Sequence, residues 1–248
     1  MREYVTPSGR LVSSSQTAYV LALNFDMLPE DLRTQAAARL AENVASYKNH
    51  LTTGFLGTPY LCHVLTRFGY NDVAYKLLLQ DTYPSWLYPV KKGATTIWER
   101  WDGIKPDGSF QATSMNSFNH YAYGAIGDWM YKTVAGIRSD IENPGYKKMV
   151  IAPQPGGNFT QASAKFESLY GQVQSGWKIE SGKFILDVTV PPNTTAIVIL
   201  PSSANAKITE SGKDTDQLTY LKKRPENSKN KVFEVGSGKY HFEYTLTK

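Results

Sequence analysis

The chain has 248 residues, a formal net charge of +5, 41% hydrophobic and 20% charged residues, which fits one large or two ordinary globular domains and excludes a disordered chain. Cys62 is the sole cysteine, which excludes an intrachain disulfide and suits a cytosolic protein without excluding a periplasmic one. The longest apolar run, Thr195–Leu200, is far short of the roughly 18 residues of a membrane-spanning helix, and Met1–Pro7 lacks a signal peptide's apolar core.

The first 140 residues read as helical. A helix begins near Ser15 and runs through Leu23. Pro29 opens a second at its first position, with Glu30 and Asp31 in the first turn and Leu32, Ala36, Leu40, Val44 and Tyr47 on one apolar face. Two shorter helices follow near 58–68 and 71–80, separated by Gly69 and with Asn71 as a cap; Cys62 falls in an apolar pattern and reads as a buried structural thiol. Pro84 starts a short helical piece, and a loop of unusual composition fills 91–114. A last long helix is expected from about Asn116 to Ala135, with Gly124 and Gly127 permitting close helix contact.

Periodicity changes at Asn143-Pro144-Gly145, beyond which strands are expected at 148–153, 184–190, 195–200, 232–235 and 240–246. The expected fold is therefore multi-domain α + β: a helical domain over 1–142 and an antiparallel β-sandwich over 145–248. Leu221-Lys222-Lys223-Arg224 reads as a solvated turn. No broad basic face calls for nucleic acid, and nothing calls for a membrane. The histidines at 50, 63, 120 and 241 lack metal-ligand spacing, so no metal or cofactor is expected.

Two stretches carry chemistry. In Ile97-Trp98-Glu99-Arg100-Trp101-Asp102, a carboxylate stands between two tryptophans and beside an arginine. Indoles pack well on the C–H faces of sugars. They also desolvate a carboxylate and so raise its pKa, while an arginine favours the charged form, a balance that suits a general base. The same residues read equally as core tryptophans with a Glu99–Arg100 ion pair. In Asn116-Ser117-Phe118-Asn119-His120-Tyr121, Asn119 and His120 stand where they can reach ligand hydroxyls; read by spacing alone, the stretch favours a helix cap and a satisfied surface histidine.

These residues resemble the α-L-rhamnosidases of glycoside hydrolase family 78. The likeness runs in order through Gln16-Thr17-Ala18-Tyr19, Thr53-Gly54-Phe55-Leu56-Gly57-Thr58-Pro59, Tyr83-Pro84-Ser85-Trp86-Leu87-Tyr88, Ala94–Trp101 and Ser117–Tyr121. It covers nearly all of the chain, but only the C-terminal portion of such an enzyme. The resemblance implies an (α/α)6 toroid, incomplete here at about six helices, and hydrolysis of terminal α-L-rhamnosides with inversion. It implies Glu99 as general base, His120 as a sugar contact, and Trp98, Trp101 and Asn119 on the substrate side.

The family's general acid lies on an acidic motif with arginine and tryptophan in the first half of the toroid, and no such motif precedes Gln16. The expectation is an enzyme fragment that is inactive alone. Its partners would be a rhamnose-containing glycoside or polysaccharide and the missing half of the toroid, with self-association through the faces left bare. The alternative is a non-catalytic carbohydrate-binding protein derived from the family. A different toroid hydrolase, acting on glucuronides or α-glucosides, fits the Trp98–Trp101 motif with Asn119-His120 less well.

Overall fold

A computed structural model of the chain describes residues 4–225 and 229–246 and divides it into two compact units, Met1–Gly127 and Asp128–Lys248. In the first unit, α1 (Gln16–Asn24) starts where the Ser15 hydroxyl accepts the Ala18 N–H at 3.2 Å, satisfying one of the donors a helix start leaves bare. α2 (Glu30–Ser46) has Pro29 at the cap position, one residue earlier than expected, and buries Ala36, Leu40 and Val44 along one face. α3 (Thr58–Arg67) and α4 (Asn71–Leu79) are joined through Gly69 at φ +86°, a conformation glycine adopts without steric cost. Asn71 is the first residue of α4, and Tyr70 takes the cap position expected for it. Cys62 is buried in α3, and burial pushes its thiol up. α5 (Leu87–Lys91) is short.

Gln16 is buried, yet both ends of its amide are satisfied. It donates to the His50 carbonyl at 3.0 Å and accepts from the Thr52 N–H at 2.9 Å. The loop after α2 is thereby fixed to the start of α1.

The long helix expected over 116–135 does not form. Thr113–Met115 makes a 3-10 turn, 116–121 is irregular, and Ala122–Ala125 is a second 3-10 turn. α6 (Ile126–Trp129) follows and runs on into a π turn at Met130–Val134. The physical reason lies in competition for the backbone: the Ser117 hydroxyl takes the Asn119 N–H at 3.1 Å, and the Ile97 carbonyl takes the His120 N–H at 2.9 Å. A Cβ at Gly124 would meet only the Ile97 side chain, at 3.4 Å, and one at Gly127 nothing within 4 Å, so neither glycine is needed for the close helix contact expected of it.

The second unit holds β1 (Ile137–Ser139), β2 (Lys148–Ile151), β3 (Gln161–Ser168), β4 (Gly171–Glu180), β5 (Lys183–Val190), β6 (Thr195–Leu200), β7 (Thr209–Glu210), β8 (Lys213–Asp214), β9 (Lys222–Arg224), β10 (Lys231–Val235) and β11 (Gly238–Thr245). One sheet has the order β1-β2-β6-β10-β9 and the other β3-β4-β5-β11-β7-β8. Three expectations need correcting. β2 and β6 pair in parallel, with Lys148 opposite Thr195, while the remaining pairs among the described residues are antiparallel. β1 lies inside the stretch expected to be helical, and Asn143-Pro144-Gly145 falls in the connection between β1 and its antiparallel partner β2. The basic run at 222–224 is an exposed strand, with Lys223 on Asp216 and Arg224 on Glu234.

Alternating residues of both sheets build one buried cluster, with Met149, Ile151, Val198 and Phe233 from the first and Trp177, Leu186 and Phe242 from the second. The Trp177 indole N–H donates to the Val134 carbonyl at 2.7 Å, and the Ser175 hydroxyl to the Ala135 carbonyl at 2.6 Å. At Gly136 (φ +84°) a Cβ would stand 2.2 Å from the Pro153 nitrogen, so no side chain fits. Among the described residues no helix is long and apolar enough to cross a membrane, and no group of three or more His, Cys, Asp or Glu is placed to hold a metal.

Candidate functional site

The site candidates come together because two irregular segments of the first unit pair like strands. The Glu99 N–H donates to the Ser117 carbonyl at 2.9 Å, and the His120 N–H to the Ile97 carbonyl at 2.9 Å. The Ser117 N–H in turn donates to Glu99 Oε2 at 2.8 Å. Among the described residues Glu99 Oε1 has no protein partner, so one carboxylate oxygen is anchored and the other is free. Arg100 does not pair with Glu99. Its Nε lies 3.1 Å from Asp102 Oδ1, and the Gln111 amide donates to Asp102 Oδ2 at 2.6 Å. Burial pushes the Asp102 carboxyl up, but those hydrogen bonds and the Arg100 charge outweigh it and hold the group below its ordinary range.

The two tryptophans have different surroundings. Trp98 is 5% exposed and meets Phe118 edge-on at 5.0 Å. Gly103 lies against it so closely that a Cβ there would stand 3.1 Å from the indole. Trp101 is half-buried, stacks on Tyr123 at 3.7 Å and 12°, meets Trp86 edge-on at 5.7 Å, and donates its indole N–H to the Thr53 carbonyl at 3.1 Å. Burial pushes the Tyr123 phenol up. Only about 30 Å³ of free space remains among Trp86, Ile97, Trp98, Arg100, Trp101 and Tyr123, roughly the room of one water. This aromatic group is packed.

His120 is half-buried and Asn119 exposed. The His120 ring lies parallel to Phe55, with centroids 4.8 Å and planes 8° apart, and its Nδ1 accepts the Ala122 N–H at 3.4 Å. Ala122 opens the 3-10 turn over 122–125, whose cap residue, Tyr121, makes no side-chain cap bond. Among the described residues the Asn119 carboxamide has no partner. Sequence reasoning did not single out Phe55, the Ser117 amide or the Arg100–Asp102–Gln111 network. The charge pattern Arg100-Trp101-Asp102 was a signal for the last of these; the other two depend on a pairing that leaves no periodic trace.

Comparison with known proteins bears on all of this. Residues 1–134 match the family model of the bacterial alpha-L-rhamnosidase 6 hairpin glycosidase domain, and residues 136–215 that of the bacterial alpha-L-rhamnosidase C-terminal domain. An alpha-L-rhamnosidase of Streptomyces avermitilis is 48% identical over 96% of this chain and 22% of its own length, and one of Formosa agariphila is 44% identical over 95% and 25%. The crystal structure of the Streptomyces avermitilis alpha-L-rhamnosidase complexed with L-rhamnose superposes with a TM-score of 0.90 at 47% identity, over 98% of this chain and 22% of that one. The alpha-L-rhamnosidase from Dictyoglumus thermophilum gives 0.85 at 32% identity, over 98% of this chain and 27% of its own. The chain spans about a quarter of the length of the relatives it matches, and it belongs to the bacterial α-L-rhamnosidase family.

Proposed function

We propose that this chain is the base-bearing part of an inverting glycoside hydrolase that releases terminal α-L-rhamnose, with Glu99 as general base. The observation that carries the proposal is the state of the Glu99 carboxylate: Oε2 is held by the Ser117 N–H at 2.8 Å, and Oε1 has no partner among the described residues. A base needs this asymmetry, one oxygen fixing its aim and the other taking a proton from water as that water attacks the anomeric carbon. His120 and Asn119 lie on the segment that pairs with that of Glu99 and have polar atoms to offer sugar hydroxyls, and in this reading Trp98 and Trp101 serve the substrate side.

The departing oxygen needs a proton from an acid set about 6.5–9.5 Å from the base. Asp102 is a poor candidate, because both its oxygens are engaged and its carboxyl is held low, whereas an acid needs a raised pKa. The acid is therefore assigned to chain outside these residues, in the other part of an (α/α)6 toroid. The two sheets are read as a β-sandwich, since one buried cluster draws on both. An apolar hollow of about 430 Å³ lined by Val5, Leu11, Val12, Ala18 and Met27 supports the expectation that the 248 residues alone self-associate.

The test uses whole enzyme and isolated chain together. In a complete enzyme carrying these residues, Glu99→Gln should lower turnover of a nitrophenyl α-L-rhamnoside by about 100- to 10,000-fold, and near-normal turnover would remove Glu99 from the mechanism. The chain by itself should give no turnover. Activity of the isolated chain that vanishes with Glu99→Gln would place the acid within it. Binding of L-rhamnose by an inactive whole protein would point to the carbohydrate-binding alternative.

A further inference from the structure

Four contacts fix the His120 side chain. Its backbone N–H is committed to the Ile97 carbonyl at 2.9 Å, which sets where the side chain leaves the backbone. Its ring lies parallel to Phe55 at 4.8 Å and 8°, and parallel to Tyr121 at 5.6 Å and 3°. Its Nδ1 faces the Ala122 N–H at 3.4 Å. A backbone amide has only a proton to give, so the nitrogen that meets it carries a lone pair. In a neutral imidazole the proton then sits on Nε2, and among the described residues Nε2 has no partner.

Phe55 is itself held from both sides. Next to it, the Thr53 carbonyl accepts the Trp101 indole N–H at 3.1 Å, and the Thr53 hydroxyl bonds that of Thr58 at 2.7 Å. Gly57 is hemmed in so tightly that a Cβ would stand 2.8 Å from both Thr17 Oγ1 and Thr53 Cγ2. A stacking partner on a loop clamped in this way holds a plane, where a mobile one would only fill space.

We propose that Phe55 is a positioning residue that, together with the Ala122 amide, presents His120 to the site as a neutral donor through Nε2–H. The ring plane is set by the stack and the tautomer by the amide, so the histidine gives a proton to a hydrogen bond and takes none in the reaction. The inference rests on the proposed function only for what lies opposite Nε2, a hydroxyl oxygen of L-rhamnose. It assigns Glu99 as the group that receives water's proton and leaves His120 to read the sugar.

The experiment is nitrogen NMR of the 248-residue chain labelled in its four histidines, with the His120 signals assigned by their loss in His120→Gln. At neutral pH the expected pattern is an unprotonated Nδ1 and a protonated Nε2. Phe55→Leu keeps apolar bulk but removes the flat face, and it should replace that pattern with exchange between both tautomers; Phe55→Tyr should restore it. Thermal unfolding of the same variants separates the roles, because a merely structural Phe55 would lower the midpoint and leave the tautomer unchanged. The inference is overturned by a protonated Nδ1 in the unmodified chain, a result that needs no variant to fold, or by a folded Phe55→Leu chain with the original pattern. In a complete enzyme carrying these residues, added L-rhamnose should shift the Nε2–H signal. If the tautomer is as stated and that signal does not move, the positioning stands and the sugar-facing role of His120 falls.

Discussion

β4 and the stretch 97–121 hold their residues in place by different means. β4 is paired over its whole length, with β3 from Gly171 to Lys178 and with β5 from Gln174 to Glu180, and its Val173, Ser175 and Trp177 are buried. In 97–121 the backbone pairs at isolated points, and side chains close the gaps: the Trp101 indole on the Thr53 carbonyl, the Asn116 amide on the Gly103 carbonyl, the Thr96 hydroxyl on the Phe118 carbonyl. A ladder spreads its energy over many equivalent bonds. A loop built this way depends on a few named side chains, and in return can aim Glu99 and His120 in directions that no regular element would give. Substitution in the sheet should therefore cost stability, and substitution in the loop should cost placement first.

The largest test of that contrast is Trp177→Ala. Trp177 is 2% exposed and donates to the Val134 carbonyl at 2.7 Å, so truncation should lower the stability of the second unit by about 3–5 kcal/mol. Urea unfolding followed by far-UV circular dichroism measures it, and a loss below about 1 kcal/mol would show that the ladders, and not the core, hold the sheets. A smaller effect is expected from Gly103→Ala. The added methyl would meet Asn116 Oδ1 at 2.9 Å, Trp98 at 3.1 Å and Phe118 at 3.2 Å, an overpacking worth about 1–3 kcal/mol. If heat unfolding of the first unit is unchanged, the loop is looser than its contacts imply.

The smallest expected effect is a change in pH dependence. Asp102 is held below its ordinary range by Gln111 and Arg100 against the opposing push of burial. Its ionised form therefore stabilises the fold fully above the ordinary aspartate value of about 3.9, and that contribution is lost as pH falls through the lower folded value. Asp102→Asn should remove this part of the acid-side loss, so that stability falls less steeply below about pH 4. An acid limb identical to that of the unmodified chain would mean that the network does not hold Asp102 low.

The same contrast explains what could be read in advance. α2 and α3 follow from apolar spacing, and β5, β6, β10 and β11 from alternation bounded by turns. β3 and β4 were within reach and missed: Val173, Ser175, Trp177 and Ile179 alternate, but serine and glycine dilute the pattern. The stretch 116–135 misled because Phe118, Ala122, Ile126, Met130 and Val134 do recur every four residues, while the backbone of 117–120 is used elsewhere. The identity of the candidate site residues was legible from motif resemblance. Their arrangement was not, since Arg100 turns to Asp102, and Phe55 reaches His120 from a distant loop.

Crowding around Trp101 has an optical consequence. Of the five tryptophans, Trp86, Trp98 and Trp101 belong to the first unit's aromatic group, with Trp86 and Trp101 crossing at 88° and 5.7 Å. Indoles held this close couple their electronic transitions, and rings locked in one handed arrangement give a near-ultraviolet dichroism that vanishes when packing loosens, even while secondary structure persists. The irregular stretch thus carries its own chromophore array. Its ordering can be followed by light at wavelengths where the peptide ladders of the strands are silent.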